Sequence, residues 1–180
     1  MGVCAVKGWG MTGSRRDAYS AEVCAEVYAG RAVVRMWRSE AGADGFGAMC
    51  QLFKPDAYRG RRVRLSAALR TVAVTGRAAL CFRVDGPESD GSRRPHALAF
   101  DNMEARPAVS GTTQWARYAC VLDVPEEATA IFISNLLVGR GELFWSDVRF
   151  EVVDDSVPVT DMHAPYVLKQ APTNLDFSEG

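Results

Sequence analysis

Polar side chains interrupt three apolar stretches of this chain. Asp101 and Asn102 break ALAFDNM (97–103), Ser134 and Asn135 break the run at 130–138, and Gln51 sits inside FGAMCQLF (46–53). Alternation adds a second set. In 62–69 (RVRLSAAL) Val63 and Leu65 alternate with Arg64 and Ser66, and in 79–85 (ALCFRVD) Leu80 and Phe82 alternate with Cys81 and Arg83. With the apolar members facing a core, Arg64, Ser66, Cys81 and Arg83 are expected to share the opposite face. Arg106 follows Asp101 closely, and Trp145 supplies an aromatic platform. A surface that carries carboxylate, amide, guanidinium and indole groups can orient a polar ligand while the indole stacks on an apolar face. Its catalytic form needs no metal. Asp101 is then the proton donor or acceptor, Arg83 or Arg64 stabilises developing negative charge, and Gln51 or Asn102 holds a carbonyl. Ser66, Arg106, Ser134, Asn135 and Trp145 complete the binding set. The plain alternative is the solvated outer face that any antiparallel sheet presents. Parity does not say which of Asp101 and Asn102 points inward.

Other chemistries find little support. His96 and His163 are the only histidines, no GxSxG is present, and no cysteine has a nearby histidine. Hydrolytic triads are therefore not expected. Gly8-Trp-Gly10 and Gly45-Phe-Gly47 lack the spacing and following helix of a phosphate cradle and read as turn glycines. Cysteines 4, 24, 50, 81 and 120 form no CxxC, so a structural zinc is not expected and free buried thiols are. Arg59-Gly-Arg-Arg-Val-Arg64 is the densest basic cluster. It lacks aromatic interleaving, and the net charge is −1 with 21 basic against 22 acidic residues, so nucleic acid is not an expected partner. The cluster reads as a solvated turn that carries only Arg64 onto a sheet.

The elements that must hold these residues are strands. The chain has 180 residues, enough for one domain with a tail. Apolar residues are 48% and charged residues 24%, which excludes a mostly disordered chain. No window approaches a membrane span, and MGVCAVKGWG has no long apolar run, so the expected compartment is the cytoplasm. Strands are expected near 31–37, 46–53, 62–69, 79–85, 97–103, 115–124, 130–138 and 143–152. Residues 17–28 fit either a helix capped by Asp17 or a loop leading into a strand. About eight short strands without βα alternation indicate an all-β antiparallel sandwich, a jelly roll, over 1–153. Residues 154–180 hold several prolines and read as an extended tail.

From Trp115 the chain reads as an aromatic-bearing strand, then Val124-Pro-Glu-Glu-Ala128, an apolar strand, and Gly139-Arg-Gly141 followed by Trp145-Ser-Asp-Val148. This resembles the C-terminal half of galactose-binding-like, carbohydrate-binding-module-like jelly rolls. GFGAMCQ, YRGRRVRLSA and LAFDNM fit the same layout, so the resemblance covers roughly 28–153. Similar domains also occur in bacterial proteins catalogued as transcriptional regulators. The resemblance implies a ligand on the concave sheet and allows a structural calcium at Asp147, which matches the last-strand position. The expected first strand is missing at the N-terminus, and Asn174-Leu-Asp-Phe177 looks like that strand instead.

Three functions are compatible with these readings. The first is a cofactor-independent cyclase or isomerase acting on a hydrophobic metabolite in the concave pocket. The second is a non-catalytic small-molecule sensor or carbohydrate-binding module using the same surface. The third is an interaction domain, monomer or homodimer, in which 174–177 adds a strand to a neighbour.

Overall fold

A computed structural model describes residues 2–39, 45–88 and 95–163. Its strands are β1 (Gly10–Thr12), β2 (Tyr19–Tyr28), β3 (Arg31–Arg38), β4 (Phe46–Phe53), β5 (Arg61–Val72) and β6 (Val74–Glu88). They continue as β7 (Pro95–Asp101), β8 (Val109–Gly111), β9 (Ala116–Val124), β10 (Ala130–Val138) and β11 (Glu142–Val153). Every strand expected from the sequence is present. The structure adds β1 and β8, which are too short to show a period, and resolves 17–28 as a three-residue 3-10 turn followed by β2.

Residues 19–28 become a strand because of their partner. They pair with β3 from Tyr19↔Arg38 to Tyr28↔Arg31. Ala29 and Gly30 form the connection, both with positive φ (49° and 75°). Two positive φ angles give the twist that a two-residue hairpin turn needs. The helical pattern loses because the β3 ladder pairs one edge of the segment along its length, from Tyr19 to Tyr28.

The strands form two antiparallel sheets. One has the order β1-β4-β10-β6-β7, with β8 also on β6, and the other has the order β2-β3-β11-β5-β9. Phe82, Leu80, Ile131, Leu137 and Met49 from the first sheet meet Leu65, Leu69, Leu122, Leu143 and Met36 from the second, all fully buried. Two sheets so packed make one jelly-roll core. Gly47 allows the close approach of Tyr19, since a Cβ there would lie 2.5 Å from the ring. The Tyr19 hydroxyl then lies 2.9 Å from the carbonyl oxygens of both Gly45 and Gly139, tying β2 to the first sheet.

Beyond β11 the chain turns back over the domain. Thr160 N–H donates to Val121 O in β9 at 2.8 Å, and Met162 N–H donates to Phe100 O in β7 at 2.7 Å. The described tail thus spans the gap between the edge strands of the two sheets. Residues 174–177 lie outside the described residues. Arg59 and Arg62 are not the solvated turn residues expected. Arg59 donates to Ala128 O at 3.0 and 3.1 Å, and Arg62 holds Asp123 and the carbonyls of Asp155 and Val157. The carbonyls of the 125–129 turn and of the tail need donors, and these side chains reach them. All five cysteines are free, but only Cys81 and Cys120 are buried. No described helix is long and apolar enough to cross a membrane.

Candidate functional site

The outer face of the six-stranded sheet carries a cleft of about 1000 Å³. Its members follow from register. Ser134 on β10 pairs with Cys50 on β4 and Cys81 on β6, so these three share a face. Phe132 pairs with Leu52 and Arg83, and Arg83 with Phe100 on β7, so the next row lies on that same face. Phe46, Phe100 and Phe132 give the cleft its apolar surface, while Ser134, Asn102 and Thr12 add hydroxyl and amide groups. Ser134 and Cys81 are nearly inaccessible and form the floor, whereas Phe46 is 37% exposed at the mouth.

Arg83 is the cationic group of this lining. Its guanidinium carbon lies 5.0 Å from the centre of the Phe132 ring. Nε lies 2.8 Å from Asp85 Oδ1 as an ion pair, and Nη2 donates to Oδ2 at 3.0 Å. Burial pushes the Cys81 thiol up to about 11, against weaker opposing effects of Ser134 and Arg83. A thiol so shifted is neutral at physiological pH.

Arg83, Asn102 and Ser134 are the sequence-predicted residues that line this cleft. The others lie elsewhere. Asp101 pairs with Phe82 and therefore faces the core, at 1% exposure. Its Oδ1 accepts Met103 N–H at 2.7 Å, and its Oδ2 accepts Arg106 Nη2 at 2.5 Å and the Thr160 hydroxyl. Both carboxylate oxygens are engaged by the protein, so Asp101 is a structural junction and not the proton donor of the cleft. Arg106 belongs to the same junction and also donates to Ala119 O at 2.6 Å. Gln51 pairs with Ile133 and lies on the inner side of its sheet. Asn135 is fully buried there, with Oδ1 accepting Met49 N–H at 3.2 Å. Trp145 lies in the core, 2% exposed, edge-on to Trp9 at 5.0 Å. It does not line this cleft.

Arg64 and Ser66 fail for a different reason. They are on β5, and β5 and β6 join different sheets, so their outward residues point to opposite sides of the molecule. Arg64 Nη2 lies 2.7 Å from Glu151 Oε1, and Ser66 Oγ accepts Arg117 Nη1 at 3.1 Å.

Asp147 does not fit a cation. Arg31, Arg117 and Arg149 all pair with its carboxylate, Arg31 at 2.9 Å and Arg149 at 2.9 Å. The hydrogen bond from Arg149 and the charges of Arg117 and Arg149 hold its pKa below the usual value. Three guanidinium groups in place of further carboxylates would repel calcium.

Sequence reasoning missed the cleft aromatics and Asp85. Strict alternation along β10 separates Phe132 and Ser134 from Ile133 and Asn135, and this signal was present in the sequence. Asp85 follows Arg83 by two residues and so shares its face.

This two-sheet architecture is a jelly-roll β-sandwich, and solved carbohydrate-binding modules share the fold. The chain aligns with the CBM22-1 xylan-binding domain from Paenibacillus barcinonensis Xyn10C at a TM-score of 0.55 and 16% identity, over 83% of this chain and 88% of that one. It also aligns with the enzymatically active domain of tailspike protein 4 from bacteriophage CBA120, with a TM-score of 0.58 and 17% identity, over 82% of this chain and 20% of that one. In sequence it is 39% identical over 176 residues to a Bacillus subtilis (strain 168) protein named uncharacterized HTH-type transcriptional regulator YbfP. The match covers 97% of this chain and 57% of that protein, so the chain spans a little over half of its relative. No family model matches the chain. The described residues contain no α-helix, and so no counterpart of a helix-turn-helix.

Proposed function

We propose that this domain is a non-catalytic ligand-binding module that takes a carbohydrate-class ligand on the outer face of its six-stranded sheet. One observation carries the reading: phenylalanines and hydroxyl or amide groups converge on a single cleft of about 1000 Å³. Sugars present apolar C–H faces and polar edges, and such a lining offers a partner to each. The resemblance to a regulator extends the proposal. The module would report an intracellular sugar to a DNA-binding part elsewhere in a longer protein.

A cyclase or isomerase of the acid–base kind draws no support from this cleft. Asp101 faces away from it, and Cys81 at about 11 is a poor proton acceptor at neutral pH.

Thermal shift and titration calorimetry with a panel of neutral and acidic mono- and disaccharides test the reading. A ligand at a hundredfold excess over its Kd stabilises the native state by about 2.7 kcal/mol, a readily measured rise in Tm. Recovery of the bound sugar unchanged supports a binding module, and its conversion to a product overturns one. Failure of every sugar to bind overturns the carbohydrate class.

A further inference from the structure

The charge balance of the cleft narrows the ligand. Arg83 is the cationic side chain that lines it, and that charge is already matched. The partner, Asp85, is 2% exposed; its Oδ2 accepts from Nη2 at 3.0 Å, and its Oδ1 lies 2.8 Å from Nε as an ion pair without a hydrogen bond. The same guanidinium lies over the Phe132 ring, 5.0 Å from its centre. The one hydrogen bond of the Arg83–Asp85 pair is thus from Nη2, and Nη1 has no protein acceptor among the described residues. The remaining polar groups of the lining, on Thr12, Ser14, Asn102 and Ser134, are uncharged. Arg77 lies near the rim through its bond to Asn102 O, and Glu104 stands 3.8 Å from it.

From this arrangement, and resting on the carbohydrate reading above, we infer that the cleft selects a neutral saccharide and that Asp85 determines this selectivity by neutralising Arg83. A guanidinium paired with a carboxylate still donates a hydrogen bond to a sugar hydroxyl. It no longer attracts a second anion strongly, because a ligand carboxylate or phosphate at Nη1 would also meet the field of Asp85. Selectivity then arises from an unfavourable element against the charged competitor, not from an extra contact with the neutral one. Asp85 does not touch the ligand. It is a positioning and charge-setting residue behind Arg83.

The experiment is calorimetric titration of the full chain with matched probes: xylobiose, cellobiose and galactobiose against digalacturonate and glucose 6-phosphate. Neutral sugars are expected to bind at least about tenfold more tightly than the anionic probes. Tighter binding of the anionic probes overturns the inference and leaves the carbohydrate reading standing. Binding by neither set overturns the carbohydrate reading and the inference with it. A second measurement uses Asp85→Asn. Its affinity for the anionic probes relative to the neutral sugars is expected to rise at least about tenfold, with a new dependence on salt. Unchanged relative affinity in a folded Asp85→Asn protein overturns the role of Asp85. The wild-type panel decides the charge class of the ligand even if this variant does not fold.

Discussion

Thr160 donates its hydroxyl proton to Asp101 across 59 residues of sequence, and the same hydroxyl oxygen accepts the Val121 N–H at 2.8 Å. One threonine thus joins the tail to β7 and β9, the edge strands of both sheets. Asp161 extends the junction, its Oδ1 accepting Phe100 N–H at 2.9 Å. The tail therefore fastens to the strand that carries Phe100 into the cleft.

Asp101→Asn is expected to lower stability by about 2–3 kcal/mol, because the buried side chain loses its charge-assisted bond with the partly exposed Arg106. Sugar affinity should stay within about twofold of the wild type, since the side chain faces the core. Chemical denaturation and calorimetry measure the two effects separately. Lost binding at unchanged stability would place Asp101 in the site after all.

Phe132→Ala should weaken the tightest-binding neutral sugar about tenfold, the loss of about 1.4 kcal/mol of stacking. The ring is only half-buried, so the accompanying stability loss should be near 1 kcal/mol. Calorimetry of the variant against the wild type checks this. Full retention of affinity would move the ligand away from this row of the sheet.

Asp147 predicts a specific response to acid. Arg149, Arg117 and Arg31 hold its native pKa below the ordinary 3.8. The unfolded chain therefore takes up the proton more readily than the native state does. Stability from this carboxylate is present above the ordinary value and is lost as the pH falls through the lower native one. Asp147→Asn should lower Tm at neutral pH, and the gap to the wild type should begin to narrow as the pH falls below 3.8. Parallel melting curves across pH 3–7 measure it, and a gap constant down to pH 3 would contradict the assignment.

Cys81 should resist alkylation in the native protein. With a thiol at about 11, roughly one molecule in a thousand carries the thiolate at pH 8. Cys4 and Cys24, which are half-exposed, should react with iodoacetamide first. Peptide mapping of the modified chain reads the order. Rapid native labelling of Cys81 would mean a more open and more polar cleft floor than the structure shows.

Much of the architecture was legible in local pattern. The alternation of Val63, Leu65, Leu80 and Phe82 marks two strands and their buried faces, and both faces are buried. Residues 17–28 were ambiguous because YSAEVCAEVY satisfies neither period cleanly, and its hairpin partner β3 decided the matter. The site was less legible. Arg64 and Arg83 each point away from the core as alternation requires, yet they stand on opposite sides of the molecule. Asp101 and Asn102 are adjacent, so one had to face inward, and pairing with Phe82 made it Asp101.

The sequence by itself determined the all-β class, the positions of the longer alternating strands, and the buried face of strands such as 62–69 and 79–85. These depend on the two-residue period of an extended backbone, which neighbours alone can express. Only the tertiary structure decided which strands share a sheet. Sheet membership depends on hydrogen bonds between segments far apart in the chain, such as β4 with β10 and β5 with β11. It also decided that Phe132, Arg83 and Phe100 stand in one row, because that row runs across strands and not along any one of them.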